Sequence, residues 1–273
     1  MLLPRVITAI VGIPLVLLAI WYGGIPYLIL IGGVIFFSLR EFYFLARIKG
    51  YPASRYLSPV LGVFLSLVIF LSNSAYLASR TSWLSPLSVI FILWIFLLIE
   101  IVRQKPENSI ERLSLAFWPI IFIGWSFSHL LLLRDIRPFG REYTLFLFVL
   151  IWLLDTAAYA VGLTLGKRRL APEISPKKSV EGFLGALVVA GVAAVILRYF
   201  WLSTVFSVRE SLILGVIIAT TSQISDLAES LLKRDAAVKD SGNIFPGHGG
   251  VFDRFDSFLL TAPVFYYYIL FIH

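Results

Sequence analysis

Cysteine is missing from all 273 residues, methionine occurs once and histidine three times. The absence of cysteine excludes disulfides, thiolate metal sites and cysteine nucleophiles. Only one histidine, His248, stands among other titratable residues, which argues against a histidine-built zinc site. Charge is scarce as well. Asp, Glu, Lys and Arg make up 14% of the chain, against roughly 25% in soluble domains. A soluble protein of this composition would lack the polar residues to cover its surface. No nucleophile elbow is present, which argues against a Ser–His–Asp hydrolase.

What is present is apolar. Hydrophobic residues reach 59%, aromatic residues 15%, and the mean hydropathy is +0.90. These values point to an all-α polytopic membrane protein. A spanning helix needs roughly 20 apolar residues. Nine stretches qualify, near 6–22, 26–46, 57–78, 84–102, 113–133, 144–165, 181–201, 211–232 and 256–272. The first follows Arg5 and lacks a small-residue cleavage site, so it reads as a membrane helix and not a signal peptide. With nine crossings, most Lys and Arg fall on the side of the N-terminus. The opposite side holds only Arg80, Arg134, Arg137, Arg141, Arg198 and Arg209. The positive-inside bias predicts a cytoplasmic N-terminus, an outside C-terminus and a site facing the cytoplasm. The net charge of +7 suits anionic headgroups or phosphorylated substrates; nucleic acid is not an expected partner.

The chain divides by character. Residues 1–140 look like generic mounting helices, with Gly32, Gly33 and Gly62 available for close helix contacts and a homodimer expected. Arg40 and Glu41 stand out there. They read as a local ion pair or interfacial snorkelling, with contact to a polar site as the alternative. Residues 141–273 carry the chemistry, with cytoplasmic loops at 166–180 and 233–255. Asp155 interrupts an apolar helix, and a carboxylate there is costly in lipid. Asp155, Tyr159 and Gly162 are spaced i, i+4, i+7 and share a face. In the loop GKRRLAPEISPKKSVEG, Ser179 can cap the next helix. Lys177 and Lys178 stand just before that N-terminus, where N–H groups and the helix dipole favour an anion.

The densest charge lies at 222–256, SQISDLAESLLKRDAAVKDSGNIFPGHGGVFDRFD. Asp226, Glu229 and Lys233 are spaced i, i+3, i+7, so they line one helix face. Asp253 and Asp256 are predicted to share a face where the last helix begins. Gly247, Gly249 and Gly250 can bring backbone N–H groups close to a phosphate. Carboxylates from two helices, a Gly-rich turn and several lysines suggest Mg²⁺ chemistry, because Mg²⁺ prefers a few carboxylates with phosphates and water.

The segment from Ser230 to Asp256 resembles the signature of the CDP-diacylglycerol synthases, or phosphatidate cytidylyltransferases. Its fixed positions match Ser230, Lys233, Arg234, Lys239, Asp240, Pro246, His248, Gly249, Gly250, Asp253, Arg254 and Asp256. The runs DTAAYAVG from Asp155, Gly166–Lys167 and SPKKSVEG from Ser175 are also similar to that family. The resemblance implies that CMP passes from CTP to phosphatidic acid, giving CDP-diacylglycerol and pyrophosphate with one or two Mg²⁺ ions. It implies metal ligation by Asp226 and Asp253, with Asp256 as a third candidate. Lys177, Lys178 and Ser179 are then expected to hold the CTP phosphates. Lys233, Arg234, Lys239, Arg254 and His248 would neutralise phosphates, and Asp155 and Tyr159 would line the same polar cavity. Two alternatives remain at this point. One is a cytidylyltransferase or kinase acting on another lipid phosphate or lipid alcohol. The other is an ion-coupled transporter using Asp155, Asp226 and Glu229, although no internal repeat is visible.

Overall fold

The computed structural model describes residues 3–51, 56–73, 81–244 and 249–272. The chain forms two compact units, Met1–Asp135 with Ala236–Phe255, and Ile136–Asp235 with Asp256–His273. The first unit therefore takes in the Ala236–Phe255 segment as well as the N-terminal helices.

The first unit holds α1 (Leu3–Tyr22), α2 (Gly24–Ile48), α3 (Leu57–Asn73), α4 (Leu84–Arg103), α5 (Ser109–Asp135) and the one-turn α9 (Phe252–Phe255). Leu61, Leu65, Ile69, Ile92, Phe96 and Ile120 form an apolar core between α3, α4 and α5. Pro119 lacks the N–H that an α-helix ladder needs, and a π-helical turn, Ile120–Trp125, follows it within α5. That turn brings Gly124 against the backbone of Gly62, where an added Cβ would lie 3.4 Å from the Gly62 Cα. Arg134 Nε donates to the Ile20 carbonyl at 2.7 Å, satisfying an orphan acceptor at the end of α1.

The second unit holds α6 (Gly140–Leu165), β1 (Arg169–Ala171), β2 (Ser175–Ser179), α7 (Val180–Trp201), α8 (Val208–Asp235) and α10 (Phe258–Ile272). Small residues let α6, α7 and α8 approach closely. A Cβ on Gly182 would meet the Ala158 carbonyl at 2.8 Å, and one on Gly215 would meet the Ala190 carbonyl at 2.7 Å. Tyr143, Phe146, Phe148, Phe206, Phe258 and Phe265 fill the core beside them. The segment read as loop 166–180 contains an antiparallel hairpin, with Arg169 opposite Ser179 and Ala171 opposite Ser175. Strands this short escape a periodicity reading, and Pro172 and Pro176 mask them further; Pro is tolerated because both strands are edges.

Among the described residues, seven helical runs are long and apolar enough to cross a membrane. They are Gly24–Ile48, Leu84–Arg103, Ser109–Asp135, Gly140–Leu165, Val180–Trp201, Val208–Asp235 and Phe252–Ile272. Two apolar helices, Ile10–Tyr22 and Leu57–Asn73, are shorter. The outer faces of the long helical runs carry exposed side chains such as Ile29, Trp94, Val102, Val188 and Phe271. Apolar exposure of this extent suits lipid and not water. The chain is an all-α membrane protein, and among the described residues one hairpin is its only sheet.

Candidate functional site

In the second unit, α8 starts apolar and turns polar over its last three turns. Asp226, Glu229 and Lys233 follow one another along one face, as their spacing predicts. Glu229 is fully buried, and Lys233 Nζ lies 2.6 Å from its Oε2. A buried carboxylate needs either such a partner or enough hydrogen-bond donors. One turn earlier, Asp226 is partly exposed. Its Oδ2 lies 2.6 Å from Lys178 Nζ, and its Oδ1 accepts from Ser230 Oγ at 3.3 Å. Lys178 reaches Asp226 from β2, so the hairpin places a cation on the α8 carboxylate.

Asp256 opens the approach to α10. Its Oδ1 accepts from Ser257 N at 2.7 Å, and Asp226, Glu229, Asp155 and Lys233 all lie within electrostatic reach of it. Ser225 of α8 donates its hydroxyl to the Asp256 carbonyl and accepts from Leu260 N at 3.0 Å, which ties α8 to the start of α10. Asp155 of α6 has Ser257 Oγ 3.5 Å from its Oδ2. Four carboxylates from three segments, Asp155 of α6, Asp226 and Glu229 of α8 and Asp256 before α10, therefore gather in the second unit with Lys178 and Lys233. Like charges at this density need cations to balance them.

The hairpin is tied at both ends. Ser179 Oγ caps α7 by accepting from Gly182 N at 3.1 Å, and Arg234 Nε at the end of α8 donates to the Ile174 carbonyl at 3.1 Å. Glu181, in the first turn of α7, accepts from the backbone N–H groups of Lys167 and Arg168 at 3.0 and 3.1 Å. The predicted anion-favouring N-terminus thus already has two of its own oxygens near it. Lys177 is exposed, and Tyr159 is 71% exposed on α6.

The first unit contains the other half of the signature. Asp253 Oδ2 accepts from Ser241 N and Gly250 N, both at 2.8 Å, and lies 2.9 Å from Ser241 Oγ. Gly249 has φ +83°, a conformation that favours glycine, and lies beside Asp253. Lys239 and Arg254 are exposed. His248, Gly247 and Pro246 lie outside the described residues. The last helix begins as the single turn α9 and resumes as α10, so Asp253 and Asp256 do not share one continuous helical face. Asp253 belongs to the first unit and Asp256 to the second.

Sequence reasoning missed Ser225, Ser241 and Ser257, whose hydroxyls arrange the carboxylates. The available signal was a serine next to each of Asp226, Asp240 and Asp256. Glu41 was noticed but read chiefly as interfacial; it is 5% exposed and accepts three hydrogen bonds from the 241–252 segment.

Among the described residues, no group of three or more His, Asp or Glu side chains is placed to hold a metal ion. Mg²⁺ does not need one, because one or two carboxylates suffice when phosphates and waters complete the shell. Asp226 Oδ2 holds a cation, the Lys178 ammonium, at 2.6 Å, so this carboxylate can sit against positive charge.

The chain was compared with known proteins. It is 34% identical to the phosphatidate cytidylyltransferase of Bacillus subtilis (strain 168), covering 96% of each chain. It is 33% identical to the Haemophilus influenzae phosphatidate cytidylyltransferase, covering 100% of both. The enzyme of that name from Synechocystis sp. is also 33% identical, over 97% of this chain and 96% of its own. Residues 3–272 match the description of the cytidylyltransferase family, and the chain belongs to that family.

Proposed function

We propose that this protein transfers CMP from CTP to phosphatidic acid, releasing pyrophosphate and leaving CDP-diacylglycerol in the membrane. The observation that carries the reading is full-length similarity to phosphatidate cytidylyltransferases, at 34% and 33% identity. The lysine-bearing carboxylate cluster of the second unit supports it, since a nucleotidyl transfer between two anions needs such balancing charge.

In this reading a phosphate oxygen of phosphatidate attacks the α-phosphorus of CTP. The new P–O bond forms as the bond to the β-phosphate oxygen breaks, and the electron pair leaves with pyrophosphate. Positioning and charge neutralisation supply most of the rate. Asp226 and Asp256 would hold Mg²⁺, and the signature resemblance gives Asp253 the same role. When bound, the metal would neutralise phosphate oxygens and orient them. Lys178, with Lys177 beside it on β2, meets the triphosphate. Arg234, Lys239, Arg254 and His248 add positive charge along the signature. Lys233 keeps the buried Glu229 neutralised and so holds the α8 face together. Asp155 and Ser257 border the polar pocket, with Tyr159 at its lipid-facing edge. Ser179 acts through the α7 cap, and Gly249 and Gly250 let backbone N–H groups approach.

The topology belongs to the same proposal. Nine crossings, a cytoplasmic N-terminus and both charged loops facing the cytoplasm of a bacterial inner membrane would bring cytosolic CTP to a lipid held in the bilayer. Gly62 packs internally against Gly124, so a homodimer contact would fall to Gly33, where a Cβ would meet nothing within 4 Å. The test is direct. Purified protein in detergent with phosphatidate, labelled CTP and Mg²⁺ is expected to yield CDP-diacylglycerol and pyrophosphate in equal amounts. Folded protein that makes neither, under conditions where the Bacillus subtilis enzyme turns over, would sink the assignment. Product with a polyisoprenyl phosphate but not with phosphatidate would move it to another lipid phosphate.

A further inference from the structure

Glu41 sits on α2, far in sequence from every signature motif, yet the signature loop is built around it. Its Oε1 accepts from Val251 N at 2.9 Å. Its Oε2 accepts from Phe252 N at 2.8 Å and from Ser241 Oγ at 2.9 Å. The same Ser241 hydroxyl lies 2.9 Å from Asp253 Oδ2, so one side chain joins the two carboxylates. Glu41 and Ser241 are both buried.

The loop sequence is fitted to this carboxylate. A Cβ on Gly242 would lie 2.7 Å from Glu41 Oε1, and a Cβ on Gly250 would collide with both Glu41 oxygens. Glycine is therefore needed at 242 and 250 for room around Glu41, a reason separate from phosphate approach. Burying a carboxylate is costly unless its lone pairs are filled, and two backbone N–H groups with one hydroxyl fill them here. A role in holding the loop accounts for a carboxyl group buried here.

We propose that Glu41 is a positioning residue for the reaction, a latch on α2 that holds Ser241, Val251 and Phe252 so that Asp253 is presented in one pose. This rests on the cytidylyltransferase reading above. Glu41 touches neither substrate in this scheme; it acts through Ser241, Val251 and Phe252. A glutamine at this position has one acceptor oxygen and one NH₂ group. Whichever way its amide turns, a loop N–H meets another donor.

The experiment compares wild type, Glu41→Gln, Ser241→Ala and the double variant, purified in detergent. Steady-state kinetics are measured for CTP and phosphatidate. Amide hydrogen exchange is followed by mass spectrometry in peptides covering residues 249–254. Glu41→Gln is expected to lower kcat by about 10- to 100-fold, the effect of a small misplacement, with KM for CTP changed by less than about threefold. Exchange in the 249–254 peptides is expected to rise at least about tenfold while the α4 and α7 peptides stay unchanged. Ser241→Ala shifts both readouts the same way, and the double variant is no worse than Glu41→Gln, because the groups act as one unit. Unchanged exchange at 249–254 overturns the latch. Faster exchange with kcat within about twofold of wild type makes Glu41 a stability residue only and overturns the positioning role. If Glu41→Gln does not fold, Ser241→Ala decides by the same two criteria. Wild type that makes no product refutes the functional reading instead, and the exchange data alone then decide the latch.

Discussion

The two carboxylate clusters differ in what partners them. In the second unit, Asp226 and Glu229 are met by the ammonium groups of Lys178 and Lys233. In the first unit, Glu41 and Asp253 are met by backbone N–H groups and the Ser241 hydroxyl. Backbone amides cannot leave without remaking the loop, so a carboxylate so bonded shapes the chain. An ammonium at the end of a flexible stem can leave and be replaced by another cation. The contrast teaches which acids are built to stay as they are and which are built to exchange partners. Asp226, partly exposed and held by one lysine, is of the exchanging kind; Glu41 is of the fixed kind.

Three substitutions would sharpen or break that contrast, taken from the largest effect down. Asp226→Asn is expected to lower kcat by about 10³-fold or more, with thermal stability close to wild type, because it removes charge from an exchangeable site. Activity within about tenfold of wild type would place Asp226 outside the machinery. Next, Lys178→Met is expected to reduce kcat/KM for CTP by about 10²-fold, most of it in KM if the lysine meets the triphosphate before reaction. An unchanged CTP dependence would leave the Lys178–Asp226 pair a structural contact. Gly250→Ala acts on the fixed cluster. Its methyl group would press on Glu41, so a loss of about 1–3 kcal/mol in stability is expected, read as a lower unfolding midpoint. Unaltered stability would mean that the cradle is loose and the distinction between the clusters fails.

Much of the fold could be read from composition and hydropathy, because the demand for apolar runs of membrane length is severe. The long helices lie close to the predicted stretches, and the α8 face bearing Asp226, Glu229 and Lys233 follows directly from helical spacing. The β1–β2 hairpin was not readable. Its strands are too short for a period to register, and its pairing is fixed by tertiary ties from Arg234 and Ser179. The break between α9 and α10 escaped for a similar reason, since Asp256, Ser257 and their partners end the first turn through contacts that spacing does not encode. Glu41 shows the limit most clearly. Its partners lie about 200 positions later, and no local pattern links an acid on one helix with glycines in a distant loop. The aspartates of the signature could be found from motif chemistry, but the sharing of Ser241 between Glu41 and Asp253 could not.

The ties at the two ends of the hairpin have a consequence for its paired lysines. Neighbouring residues on a strand face opposite ways, so only one of two adjacent ammonium groups can be delivered to a given carboxylate. With β2 anchored through the Ile174 carbonyl at one end and the Ser179 cap at the other, there is no slack for the strand to slide. Lys178 meets Asp226 and Lys177 stays exposed. What looks like duplicated charge in KKS is therefore a parity device. Insertion or deletion of one residue between the anchors would hand Asp226 either the wrong lysine or a hydroxyl, with the composition of the loop almost unchanged.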